Sequence, residues 1–196
     1  TWDASLVAPK PRTLPSGTRA YIANHGSDDV SVFGTLPATP EYHSVIKTIP
    51  VGKKPTAIAT TPDGRFVVVV CEGDSTLRWI DSSPTSGTAD LVVTTATALP
   101  GGKGVIISPD GTRAFVATST GVVVIDMATK SVSTTVSVAS GTRGVAITPD
   151  GTIVLALTND GLIVVIDVVP GSTTQYRVVT TATASAVSSI GSGLKA

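Results

Sequence analysis

Ser108-Pro109-Asp110-Gly111, followed by Thr112-Arg113-Ala114-Phe115-Val116-Ala117-Thr118 and, after Ser119-Thr120, by Gly121-Val122-Val123-Val124-Ile125-Asp126, is the stretch on which the fold turns. Proline presets φ, aspartate hydrogen-bonds its own turn backbone and glycine accepts positive φ, so Pro-Asp-Gly reads as a tight turn. Two apolar, β-branched runs follow it across a short polar break. Their density of valine and threonine, with Gly or Pro punctuation on either side, disfavours a helix and predicts a strand pair.

The stretch repeats along the chain. Thr61-Pro62-Asp63-Gly64 and Thr148-Pro149-Asp150-Gly151 carry the same turn, Leu14-Pro15-Ser16-Gly17 is a weaker copy, and the glycines stand 47, 47 and 40 residues apart. A second landmark follows each strong turn: Trp79-Ile80-Asp81, Val124-Ile125-Asp126 and Val165-Ile166-Asp167, whose aspartates lie 17, 15 and 16 residues beyond the turn glycine. Two landmarks held in phase at a period of about 40 to 50 residues predict propeller blades.

Each unit reads as four strands. In the last, residues 144–148 form an inner strand, 153–158 the second, the apolar run 162–166 a third covered on both faces, and 175–181 the outer strand. The first unit takes strands at 19–24, 30–35 and 42–51 with a shortened inner strand near 12–14. The second takes 57–60, 65–71, 77–81 and 91–96, and the third 105–108, 113–118, 122–126 and 131–138. The predicted fold class is therefore all-β: a β-propeller of about four four-stranded blades, either an incomplete ring or part of a larger propeller. One domain spans 1–196, with units at 9–51, 52–98, 99–139 and 140–182, and with 1–8 and 183–196 as terminal partial strands. Insertions fall between strands three and four, at 34–41, 82–90 and 168–174.

Tyr21-Ile22-Ala23-Asn24, Asp29-Val30-Ser31-Val32-Phe33 and the Pro-Asp-Gly turn with Thr112-Arg113-Ala114-Phe115-Val116-Ala117 resemble the YVTN-type β-propeller repeat over about residues 10–182. The resemblance implies radial four-stranded blades around a central channel, a secreted, periplasmic or surface-layer setting, and lactonase-like and quinoprotein-like relatives. Three positions depart from the pattern: Gly34 stands where the strand-three Asp is expected, Cys71 replaces the Asn, and the first inner strand is truncated.

Composition narrows the partners. The 196 residues carry 14 Lys+Arg against 14 Asp+Glu, so no net field draws the protein to nucleic acid or to an anionic membrane. The single cysteine, Cys71, leaves no intrachain disulfide and no Cys-based zinc site. No run of about 18 apolar residues predicts membrane insertion, and Thr1 to Lys10 lacks a secretion signal, which reads as a chain already processed or cut. Localisation is expected to be extracellular, periplasmic or at the cell surface.

Chemistry-bearing residues are sparse. Asp63, Asp110 and Asp150 are expected to bond their own turns, and Asp81, Asp126 and Asp167 to cap the loops they open. His25 with Asp28 and Asp29 is the one local imidazole–carboxylate cluster, and it lacks further metal ligands. His43 stands alone in the outer strand of the first unit. Glu72 and Asp74 share a turn that fixes no catalytic separation. Gly-x-Ser-x-Gly and the phosphate-cradling glycine motif are absent, and Gly101-Gly102-Lys103-Gly104 reads as a connector. No catalytic residue, metal site or cofactor is therefore assigned.

One constellation remains. Arg12, Lys54, Lys103 and Arg143 lie in or near the connectors that lead to inner strands, and would form a cationic collar at the channel mouth for a small anion or an acidic peptide. The expected function is a non-catalytic protein-interaction or structural module, not an enzyme; the alternative is a lactonase-like or quinoprotein-like propeller enzyme with its active site at that mouth. An end blade exposing roughly 400 Å² of apolar surface forgoes about 10 kcal/mol at 25 cal/mol per Å², so a protein partner or self-association through the end blades is expected.

Overall fold

The computed structural model describes residues 12–13 and 18–183. Sixteen strands form four four-stranded antiparallel sheets, each pairing in simple chain order. Blade I comprises β1 (Arg12–Thr13), β2 (Arg19–Asn24), β3 (Asp29–Gly34) and β4 (Val45–Pro50). Blade II holds β5 (Pro55–Thr60), β6 (Phe66–Cys71), β7 (Thr76–Asp81) and β8 (Val92–Ala96), with one 3-10 turn at Glu72–Asp74. Blade III holds β9 (Gly104–Ile107), β10 (Arg113–Thr118), β11 (Gly121–Asp126) and β12 (Ser131–Ser137). Blade IV holds β13 (Thr142–Ile147), β14 (Ile153–Thr158), β15 (Leu162–Asp167) and β16 (Arg177–Thr183). No helix among the described residues is long and apolar enough to cross a membrane.

The Pro-Asp-Gly turns join the first and second strands of blades II to IV, and Gly64, Gly111 and Gly151 adopt φ of 70, 72 and 71°. Each aspartate holds its turn closed. Asp110 Oδ1 accepts the Ser108 hydroxyl at 2.5 Å and the Thr112 N–H at 3.0 Å, and Asp63 and Asp150 repeat the arrangement. A second device recurs in every blade. The pairing of strands three and four slips at Val32/Phe33, Trp79/Ile80, Val124/Ile125 and Val165/Ile166, equivalent positions at which a β-bulge adds twist to the outer strand.

The core lies between sheets. Tyr21, Val30 and Val32 of blade I pack on Ile58, Val67, Val69 and Ile80 of blade II. The opposite face of blade II, with Val68, Val70, Leu77 and Trp79, packs on Val105, Ala114, Val116 and Ile125 of blade III. Phe115, Val122 and Val124 then meet Val154, Ala156, Val164 and Ile166 of blade IV. Successive inner strands β5, β9 and β13 adjoin one another, which places them about a common axis. Among the described residues no comparable cluster joins blade IV back to blade I, so the four blades form an arc. The expected terminal strands at 1–8 and from 184 onward lie outside the described residues.

Loop details differ from the sequence expectation at two outer strands. The last begins at Arg177, not 175, because Tyr176 turns left-handed (φ 59°) and donates its N–H to Asp167 O at 2.7 Å, closing the loop first. The first blade's outer strand likewise begins at Val45, because left-handed His43 (φ 61°) donates to Gly34 O at 3.1 Å. Gly34 has its own reason. A Cβ there would stand 2.2 Å from Glu41 O, so the Asp expected at this landmark has no room.

Candidate functional site

Strand direction sorts the loops into two rims. The turns between strands two and three and the connectors into each inner strand share one rim; the Pro-Asp-Gly turns and the loops between strands three and four share the other.

The connector rim holds the cations singled out by the sequence. Lys54 has left-handed backbone (φ 51°), donates its N–H to Asp28 Oδ1 at 2.8 Å, and accepts the Glu72 N–H at its carbonyl at 3.0 Å. Lys103 Nζ donates to Glu72 Oε1 at 3.0 Å, in an exposed pair. Arg143 is exposed at the start of β13, where its carbonyl lies 3.7 Å from a Cβ built on Gly104. Arg12 pairs with Tyr21 through its backbone, and its side chain lies outside the described residues. The structure thus ties the Lys54 backbone and the Lys103 side chain to Glu72, and places the Arg143 backbone beside Gly104, where the Lys103 connector ends. Asp28 in the turn of blade I meets the Lys54 connector and Glu72 in the turn of blade II meets Lys103, whereas the turn of blade III, Ser119-Thr120, brings no acid to Arg143.

The acids here are restrained. Burial pushes the Asp74 carboxyl up, but bonds from the Thr76 hydroxyl at 2.7 Å and Arg78 at 3.2 Å hold it below the usual carboxylate range. In the turn with His25, Asn24 Nδ2 donates to Asp29 Oδ1 at 2.6 Å and to Ser31 Oγ at 2.8 Å, while Asp28 serves Lys54. No group of three or more metal-ligating side chains gathers among the described residues. Cys71 is buried, and that burial pushes its thiol up to about 11, which leaves it a poor nucleophile at neutral pH.

On the opposite rim the structure reveals a constellation that motif reading missed. Arg19 Nη1 donates to Asp90 Oδ2 at 2.8 Å and the fully buried Tyr21 hydroxyl to Asp90 Oδ1 at 3.0 Å, tying blade I to the loop of blade II. Burial first, then the Asp90 charge, pushes the Tyr21 phenol well above its ordinary range. The equivalent positions pair at the other two boundaries: Lys130 Nζ stands 4.3 Å from the Phe66 ring centre, and the Arg113 guanidinium 5.4 Å from that of Tyr176. Asp90, Lys130 and Tyr176 are all left-handed residues that end a loop between strands three and four. The sequence signal was available: Arg19 and Arg113 stand at the same distance after their turn glycines.

Four radial sheets about an axis, with connectors and turns meeting at one rim, define a partial β-propeller. Residues 12–109 match the family described as lactonase, 7-bladed beta-propeller, half of the chain, and the protein belongs to that family. A search of the curated proteins finds no match. Among solved structures, hydrazine synthase of Kuenenia stuttgartiensis is 22% identical, with a TM-score of 0.74 over 92% of this chain and 52% of that one. A putative 6-phosphogluconolactonase from Bacteroides uniformis is 18% identical (TM-score 0.68; 82% and 50%), and a functionally unknown protein from Desulfotomaculum acetoxidans 16% (TM-score 0.71; 90% and 57%). The chain thus spans about half the length of these structures, and the likeness is one of fold. The family match overturns the expectation that the chain is not an enzyme. Sparse histidine and acid argued against catalysis from sequence, but residue counts do not decide which side chains the fold gathers on one rim.

Proposed function

We propose that the chain forms four blades of a lactonase-like propeller enzyme whose active site is the channel mouth on the connector rim. The observation that carries this reading is the family match, which covers blade I, blade II and the start of blade III. The repeats within it we read as YVTN type, on the strength of Tyr21-Ile22-Ala23-Asn24 and Asp29-Val30-Ser31-Val32-Phe33.

The rim suits the chemistry. Lactone hydrolysis adds water across the ring ester: the acyl carbon gains the water oxygen, the ring C–O bond breaks, and the departing alkoxide takes a proton to give a hydroxy acid. Negative charge builds on the carbonyl oxygen during attack, and fixed cations stabilise it. Lys54, Lys103 and Arg143 supply such charge. Glu72, held by Lys103, is the carboxylate on the same rim that takes the proton from the attacking water.

A pH-stat assay with a sugar-acid lactone tests the reading, because each turnover releases acid. Turnover above the spontaneous rate is expected from this chain and any longer form of it, with at least a tenfold loss in the Lys103→Ala/Arg143→Ala double variant. No turnover above background in either form, or full activity in the double variant, would overturn it.

A further inference from the structure

The boundary between blades III and IV holds a cleft of about 200 Å³ on the rim opposite the connectors, lined among others by Asp110, Arg113, Phe115, Asp150, Val168 and Pro170. The boundary between blades I and II shows what an arginine at this position is built to meet. Arg19 and Arg113 occupy the same place in their repeats, and Tyr21 and Phe115 the same place two residues on. At the first boundary the loop of the next blade returns Asp90, and both its oxygens are used, by Arg19 and by the Tyr21 hydroxyl. At the later boundary Tyr176 stands where Asp90 stood and Phe115 has no hydroxyl. Arg113 stacks on the Tyr176 ring and donates Nη1 to Val168 O at 3.0 Å; Asp110 and its cross-strand neighbour Asp126 feel its charge, but no carboxylate among the described residues forms an ion pair with it.

The acids around that cleft decide the ligand class. Asp110 is committed: Oδ1 accepts from Ser108 and Thr112 N–H, and Oδ2 from the Thr112 hydroxyl at 2.9 Å. Asp150, on blade IV, uses Oδ1 for Thr148 and for the Thr152 N–H and hydroxyl, and leaves Oδ2 without a partner among the described residues. Arg113 therefore offers N–H donors from one blade and Asp150 a carboxylate oxygen from the other, with Pro109, Phe115, Val168 and Pro170 as apolar walls. A simple anion would meet Arg113 but also face Asp110 and Asp150, and a simple cation would face Arg113. A molecule with both charges meets both, and the volume, below that of drug-sized pockets, limits it to a small one.

We propose that this cleft binds a small zwitterion of the α-amino-acid class, its carboxylate on the Arg113 guanidinium and its ammonium on Asp150. The site is independent of the lactonase reading, since it lies on the other rim and uses none of the connector residues. Titration of the isotope-labelled chain with L-alanine, acetate and methylammonium, followed by amide chemical shifts, tests it. Saturable shifts confined to Thr112, Arg113, Thr152 and Val168 are expected with L-alanine, at an affinity at least tenfold above that for either single-charge probe. Arg113→Gln should abolish them, Arg113→Lys should retain a weakened response if the glutamine variant fails to fold, and Asp150→Asn should bring L-alanine down to the level of acetate. Equal affinity for acetate or methylammonium, shifts that survive in both Arg113 variants, or no saturable shift at all would overturn the proposal.

Discussion

Blades II and IV are built from the same repeat, yet they present their forward faces to different surroundings. In blade II, Val68, Val70, Leu77 and Trp79 are fully buried against blade III. In blade IV the equivalent residues are Leu155, Leu157, Ile163 and Val165, at least as apolar, and Leu155 is 38% exposed while the other three are half-buried. Side chains of one chemistry thus sit in a core on one blade and at a surface on another. A propeller blade does not own a core; it owns half of two, and the second half comes from its neighbour. The forward face of blade IV is thus apolar and, among the described residues, only partly covered.

The largest expected effect breaks this comparison directly. Leu77→Ala should destabilise the protein by about 2–5 kcal/mol, because it removes buried methyl groups and leaves a cavity, whereas Leu155→Ala should cost less than about 1 kcal/mol. Urea titration of both variants measures the difference. In any longer form of the protein in which a further blade covers blade IV, the Leu155→Ala cost should rise into the range of Leu77→Ala. Equal costs in the present chain would mean that this face is already covered.

Next in size is the lock at the first blade boundary. Asp90→Ala would leave the buried Tyr21 hydroxyl and the half-buried Arg19 without their acceptor, at a cost of about 1–3 kcal/mol. Tyr176→Ala at the later boundary should cost less in hydrogen bonding, because Arg113 keeps the Val168 carbonyl. If the two variants unfold alike in urea, packing and not the polar lock holds the boundaries.

Acid should loosen the turns. Hydroxyl and N–H bonds, from Ser108 and Thr112 on Asp110 and from Thr148 and Thr152 on Asp150, hold both carboxyls below the usual carboxylate range. Their stabilisation is complete above the unfolded carboxyl value near 4 and is lost as pH falls through the lower folded values. Asp110→Asn should therefore lower the midpoint of thermal unfolding at pH 7 and flatten its fall below pH 4. A parallel acid slope in the variant would assign that slope to other carboxylates.

The repeat was legible because it is local. Pro-Asp-Gly spells its turn, the apolar runs spell their strands, and recurrence every 40 to 47 residues spells blades; the turn and strand signals sit within a few residues of what they shape. The boundaries were not legible in the same way. Arg19 and Asp90 are 71 positions apart, and nothing beside either residue announces the other. Asp90 also reads as an ordinary loop acid until the left-handed turn at its own position aims it at the preceding blade. At the connector rim, residue types gave the cations Lys54, Lys103 and Arg143, but Asp28 and Glu72, which meet the first two, arrive from turns of the blade before. Pairing across blades depends on which loop end each blade offers, and that follows from the fold, not from neighbours in sequence.

The smallest effect separates stability from activity. Lys103 and Glu72 form an ion pair open to water, with both side chains about a third or more exposed, whereas Asp90 in the Arg19 pair is nearly sealed. Exposed pairs contribute about 0–1 kcal/mol, because water screens the attraction and ordering two long side chains offsets it. Lys103→Ala should therefore shift the urea midpoint hardly at all. Its effect on lactone turnover should nevertheless be clear, since a cation beside a developing oxyanion acts only as the reaction proceeds. A variant as stable as the parent and slower in ring opening would place Lys103 in the working rim. Loss of stability without loss of turnover would instead make its bond to Glu72 a strut between blades II and III.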